Sequence, residues 1–178
     1  MNRNDNHTIS SLNDLIRVNN DRTAGYEKAI KNLEAGDVEL KAIFSRFANQ
    51  SREFAAELVN EVIKAGGEPA TGTSASGKIY RMWMDVKATF SGDDRQAMLK
   101  ACEFGEDAIL NAYSSAQEMH TDWNTDQAEL IDQHKLLLND SHDLIKKYRD
   151  NNKLSESSTG STVKSTMRDD MRKGRDIL

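Results

Sequence analysis

The sequence predicts an all-α protein, a four-helix bundle with one long crossover connection. Three observations carry that expectation. Apolar residues recur every three or four positions through four long stretches of similar length. Helix breakers are rare, with one proline and ten glycines in 178 residues. The composition, 37% hydrophobic and 30% charged, suits helices that each bury one stripe rather than a sheet buried on both faces. A chain of this length can enclose one real core and falls short of two comfortable ones.

Residues 1–10 read as a polar N-terminal arm. Ser10 and Ser11 are the expected N-caps of the first helix, with Asp14 three residues after Ser11 in a capping-box arrangement. Leu12, Leu15, Ile16, Tyr26, Ile30 and Leu33 follow at helical spacing, and Gly36 closes the helix. Asp37 is the expected cap of the second helix, whose stripe is Leu40, Phe44, Phe47, Ala48, Ala55, Leu58 and Val62, with Phe54 and Val59 at its flanks. Gly66-Gly67 ends it. So short a link between the first two helices predicts an antiparallel hairpin.

The stretch from Glu68 to Ser76 holds the proline, Pro69, and a run of Thr, Ser and Gly, and reads as loop. A short amphipathic helix is expected next, with Ile79, Trp83, Val86 and Phe90 on one side and Ser91-Gly92 at its end. Asp93 caps a third long helix that turns Met98, Cys102, Ile109, Ala112, Tyr113 and Ala116 inward. The pattern breaks between His120 and Asn124, where Thr121 or Thr125 offers a cap. The fourth helix is expected to bury Leu130, Leu137, Leu144 and Tyr148, and to run to about Asp150. The expected domain is thus 11–150, followed by a polar tail, 151–178, that is disordered or conditionally helical. Within the tail Met167, Met171 and Arg175 share a helical spacing, which gives it one means of docking on a protein partner.

Hairpin, long crossover with a short fifth helix, hairpin: a bundle connected in this order has ferritin-like topology. Four motifs carry a family resemblance. They are Leu12-Asn13-Asp14-Leu15-Ile16 with Gly25-Tyr26, then Gly66-Gly67-Glu68-Pro69, then Trp83-Met84-Asp85-Val86-Lys87, and Glu103-Phe104-Gly105-Glu106-Asp107-Ala108 with Tyr113. Together they resemble a bacterial family of ferritin-like four-helix-bundle proteins of unknown function. The resemblance implies the fold and no activity. A role in stress or envelope adaptation would fit such a relative.

Several function classes lack support. The net charge of −5 argues against a dedicated nucleic-acid binder. A single cysteine, Cys102, leaves no internal disulfide framework and no Cys-rich metal site, and it reads as a buried, inert thiol. No apolar run is long enough to span a bilayer and the first residues do not form a signal peptide, so the cytoplasm is the expected location. Gly72 to Lys78 has the outline of a phosphate loop, but Ile79 stands where the magnesium-binding Ser or Thr belongs, and no strand precedes it. Self-association is expected, as a homo-oligomer or a dimer.

Projected at about 100° per residue, all four helices become polar near their midpoints. The first has Asn19, Arg22 and Thr23 with Glu27 at the edge, and the second has Ser51 with Gln50 and Glu61 at its margins. Glu106 falls inside the third stripe, and Gln133 and His134 inside the fourth. Two readings stay open. One is a metal site of Glu27, Glu106 and His134, helped by Glu61, Glu103 or Gln133, whose carboxylate and imidazole donors suit iron, manganese or zinc. That reading lacks any Glu-x-x-His pair, and the second and fourth helices are short of carboxylates. The other is a metal-free polar network of Asn19, Arg22, Ser51, Glu106, Gln133 and His134, with Arg22 paired to Glu106. The leading expectation is a non-catalytic binding or structural module without a cofactor.

Overall fold

The computed structural model describes residues 3–73, 95–119 and 123–173, and side chains within 6–73, 95–118 and 123–152. The helices are α1 (Arg3–Asn32), α2 (Val38–Lys64), α3 (Arg95–Met119) and α4 (Thr125–Lys173). The short crossover helix expected around Ile79–Phe90 lies outside the described residues, as does His120. Contacts pair the helices with opposite numbering: Asn19 with Tyr113 on α1 and α3, Glu57 with His134 on α2 and α4, Tyr113 with His134 on α3 and α4. Arg22 meets Ser51 and Ile9 meets Gly67, so α1 and α2 are antiparallel too. Hence α2 and α3 run parallel, and their connection must return the length of the bundle.

The first helix begins at Arg3, which corrects the expected caps at Ser10 and Ser11. The reason is packing. Thr8 and Ile9 are buried, and Ile9 joins the core with Leu12, Leu58 and Val62. Its side chain lies where a Cβ on Gly67 would stand, about 2.6 Å from Ile9 Cγ2, so this crossing needs a residue without one. The end of α2 is a Schellman turn: Gly67 N–H donates to Val62 O and Gly66 N–H to Ile63 O, both at 2.9 Å, with Gly66 at φ +76°. Asn13 then clamps the exit, its Nδ2 donating to Glu68 O at 3.0 Å and its Oδ1 accepting from Ala70 N–H at 2.7 Å. Asn20, two turns on, donates to Gly72 O at 2.9 Å, so the loop starts its return along α1.

Two other expected caps are revised. Asp37 flanks α2 but makes no side-chain cap bond, because its carboxylate pairs with Arg95 at 2.6 Å. At α4 the cap is Asn124, not Thr121 or Thr125. Asn124 Oδ1 accepts from Gln127 N–H at 2.9 Å while Gln127 Oε1 accepts from Asn124 N–H, a reciprocal capping box.

On α4 the buried positions are Gln127, Ile131, His134, Leu138, Ser141 and Ile145, alternating steps of four and three. The expected stripe is therefore one residue out of phase. Leu137 is 43% exposed and Leu138 not at all. Leu130, Leu144 and Tyr148 flank the core rather than fill it. The chain beyond Asp150 is helical to Lys173, continuous with α4, so the tail expected to be disordered or conditionally helical begins as an extension of this helix.

The core divides in two. One cluster centres on Leu12, Leu15, Ile16, Leu58, Val62, Ile109 and Leu138, the other on Tyr26, Leu40, Phe44, Phe47, Leu99, Cys102 and Ile145. Between them lies the polar layer.

Candidate functional site

Asn19, Arg22 and Tyr26 are spaced three and four apart, so α1 presents them on one face. The facing wall of α3 carries Glu106 and Tyr113 at the same spacing of seven. Arg22 and Glu106 meet as a fork: Arg22 Nε donates to Glu106 Oε1 at 2.7 Å and Nη2 to Oε2 at 3.0 Å. Both side chains are out of solvent, at 1% and 0% exposure. Tyr26 Oη also donates to Glu106 Oε1. The other end of the guanidinium is held by α2, where Arg22 Nη1 donates to Ser51 Oγ (2.8 Å), Gln50 Oε1 (3.1 Å) and Phe47 O (3.2 Å). The rings of Tyr26 and Phe47 stand 5.2 and 5.3 Å from its central carbon, within cation–π range. Gln50 Oε1 takes a further bond from Ser141 Oγ at 3.1 Å, which brings in α4.

A second chain of bonds leads from the interior toward the surface. Asn19 Nδ2 donates to Leu15 O at 2.9 Å and to Tyr113 Oη at 2.8 Å. Having accepted that bond, the Tyr113 hydroxyl directs its own proton to His134 Nδ1, 3.1 Å away. His134 Nε2 then carries the ring proton and donates to Glu57 Oε2 at 2.6 Å. Phe54 stacks on the imidazole, centroids 3.9 Å apart. Glu57 is half exposed, so the chain ends in water. Asn19 Oδ1 is buried without a hydrogen-bond partner among the described residues.

Burial favours the neutral forms of His134, Tyr26, Cys102 and Tyr113. It lowers the His134 imidazole from its ordinary value, against the pull of Glu57, which raises it. It drives the Tyr26 hydroxyl and the Cys102 thiol well above their ordinary values, with Glu106 reinforcing both shifts, and it raises Tyr113 as well. Burial also opposes the charge on Arg22, but Glu106 outweighs it and the guanidinium is held above its usual range. A cationic Arg22 against a bidentate carboxylate is the charge state this layer is built for.

Not every residue expected at the centre is there. Arg22, Ser51, Glu106, Asn19 and His134 converge as described. Glu27 does not: it is half exposed on the outer face of α1 and pairs with Arg52. Gln133 is exposed on α4, because the buried stripe passes through His134 instead. Glu61 is buried but pairs with Lys64 at 2.7 Å, and Glu103 pairs with Arg149. His7 is exposed, while His142 is half-buried between Asp107 and Asp143. Gln50, expected at the margin, joins the network, whereas Tyr26, Tyr113, Ser141 and Glu57 were not foreseen as polar participants. Among the described residues no group of three or more His, Cys, Asp or Glu is placed to hold a metal ion.

The family described as a domain of unknown function, DUF2383, matches residues 7–119. The chain belongs to this family. The DUF2383 match spans α1, α2, the crossover and α3, and so includes Arg22, Glu57, Glu106 and Tyr113 but stops before His134 on α4. No curated protein matches the chain. Among solved structures, a mutant of Dps1 from Mycobacterium smegmatis is similar at 13% identity and a TM-score of 0.68, covering 84% of this chain and 99% of that one. The DUF2383 chain is therefore a ferritin-like four-helix bundle. Among the described residues, no helix is long and apolar enough to cross a membrane.

Ferritin-like bundles that bind metal set inward carboxylates and Glu-x-x-His pairs around two cations. The donor set here does not fit that group. Both oxygens of Glu106 are taken by a guanidinium, which places a fixed positive charge where a cation would sit. Both His134 nitrogens are committed, and Glu27 faces outward.

Proposed function

We propose that this protein is a non-catalytic ferritin-like module, a self-associating binding or structural element of the bacterial cytoplasm that works without a resident metal. One observation carries the reading: Arg22 occupies the bundle centre as an internal cation, neutralising Glu106 through two hydrogen bonds of 2.7 and 3.0 Å. A divalent ion at the same point would have to displace the guanidinium into an apolar interior, which costs several kcal/mol. The interior therefore serves shape and stability, and any partner is met at the surface.

The test is elemental analysis of the full chain purified without chelators, together with ferrous-iron oxidation measured under air. The expected results are iron, manganese and zinc far below one per chain and no oxidation above buffer. Near-stoichiometric metal that is lost in Glu106→Gln would overturn the proposal in favour of a carboxylate–histidine metal site.

A further inference from the structure

The groove between α2 and α4 is an open cleft of about 600 Å³ lined by Ala42, Ser45, Arg46, Asn49, Glu53 and Leu137, among others, with Gln50 and Phe54 on its floor. Its apolar edge is exposed: Leu137 is 43% accessible. Its two charges, Arg46 and Glu53, stand seven residues apart on α2, and among the described residues neither makes an ion pair. Between them the α2 rim holds the neutral Asn49 and Gln50, and before Arg46 it holds the small residues Ala42 and Ser45, so another helix can approach closely.

We infer that this cleft binds a second copy of the same chain, through antiparallel packing of the two α2 helices about a two-fold axis between Asn49 and Gln50. The inference rests on the self-associating reading above and assigns it a face. A two-fold contact must be self-complementary, each residue meeting its counterpart's partner. Arg46 and Glu53 are equidistant from the Asn49–Gln50 midpoint, so the two-fold operation sets Arg46 of each copy against Glu53 of the other. The levels of Ala42 and Ser45 fall opposite the half of the partner's cleft that holds Leu137, where small side chains leave room for a leucine. Charge pairing on both sides of the axis and a leucine at each side fit one occupant better than a foreign helix, which would need the same charges in the same order.

Sedimentation velocity of the full chain tests this, with circular dichroism confirming that each variant keeps its helix content. Wild type is expected to be dimeric. Arg46→Glu and Glu53→Arg should each weaken the dimer by about tenfold or more, because like charges then face each other twice. The double variant should recover the dimer, and the two single variants, mixed, should form a heterodimer more tightly than either self-associates. A wild type that stays monomeric on the order of 100 μM, a concentration at which a weak but specific dimer would form, overturns both the face and self-association. A dimer indifferent to the reversals overturns the face alone. Neither outcome bears on metal content, which the elemental analysis decides separately.

Discussion

Breaking the Arg22–Glu106 pair one side at a time should destabilise the bundle in two distinguishable ways. Neither side chain reaches water, so removing one partner leaves the other charge in a poor solvent. Each of Glu106→Gln and Arg22→Met should then cost about 3–5 kcal/mol. At about 2–4 °C per kcal/mol for a chain of this size, melting should fall by roughly 6–20 °C. The pH dependence separates the variants. In Arg22→Met the stranded carboxyl keeps only the Tyr26 hydroxyl, and it can shed its charge by taking up a proton. Its penalty relative to wild type should therefore shrink as pH falls from 7 toward 5. In Glu106→Gln the stranded guanidinium cannot lose its proton in this range, and the penalty should stay level. Replacing both with apolar residues of similar volume, Arg22→Met with Glu106→Leu, should recover much of the single losses, since no charge is stranded. The assay is thermal and urea denaturation followed by circular dichroism at pH 5, 6 and 7. Single variants within about 0.5 kcal/mol of wild type, the scatter of ordinary surface changes, would refute the buried pair; additive losses in the double variant would refute its coupling.

Further outcomes follow from the same structure. Leu138→Ala should cost about 2–5 kcal/mol and Leu137→Ala under about 1, measured by urea denaturation; the reverse order would restore the other α4 face. His134 is held below its ordinary value of 6.5, so its neutral form supports the fold fully above that pH and the support is lost as pH falls toward the depressed value. Melting temperature should accordingly drop across this window in wild type and flatten in His134→Gln, while a wild-type profile flat from pH 7 to 5 would count against the buried imidazole. Gly66→Ala should cost about 1–2 kcal/mol through its left-handed backbone. Gly67→Ala should be rescued in part by Ile9→Ala, which removes the side chain its methyl would strike; additivity of those two losses would place them apart.

Much of the fold was legible because burial repeats at helical spacing on α1, α2 and α3, where Leu12, Leu15, Phe44, Phe47, Leu58, Ile109 and Tyr113 all fall on the expected stripes. On α4 the same method slipped by one residue. Leu136, Leu137 and Leu138 are consecutive, so spacing alone does not choose among them, and three of the truly buried positions, Gln127, His134 and Ser141, are polar. The signal was present as Ile131, Leu138 and Ile145 seven apart, interleaved with those three polar residues at the same interval. The start of α1 was hidden because residues 3–8 are polar and only tertiary contact buries Thr8 and Ile9. At the centre, Arg22 and Glu106 could be matched as opposite charges on inward faces. Tyr26 and Tyr113 were counted as apolar bulk, although their hydroxyls bond Glu106, Asn19 and His134 in the network. Glu57 lies off the α2 stripe and reaches His134 from the rim, a contact that periodicity does not encode.

The polar layer also has a bearing on how the helices find their partners. Apolar stripes repeat every seven residues, so α3 could slide along α1 by one repeat, about 10.5 Å, and still bury leucines against leucines. Such a slide puts Leu99 or Tyr113 level with Arg22 and carries Glu106 away into hydrocarbon. Both charges would then be stranded at once, so the shifted alignment is far higher in energy than the native one, whereas two purely oily seams would barely distinguish them. The ion pair acts as a key cut for one notch, and a bundle with both residues made apolar should keep most of its stability and lose the singular alignment of its four helices.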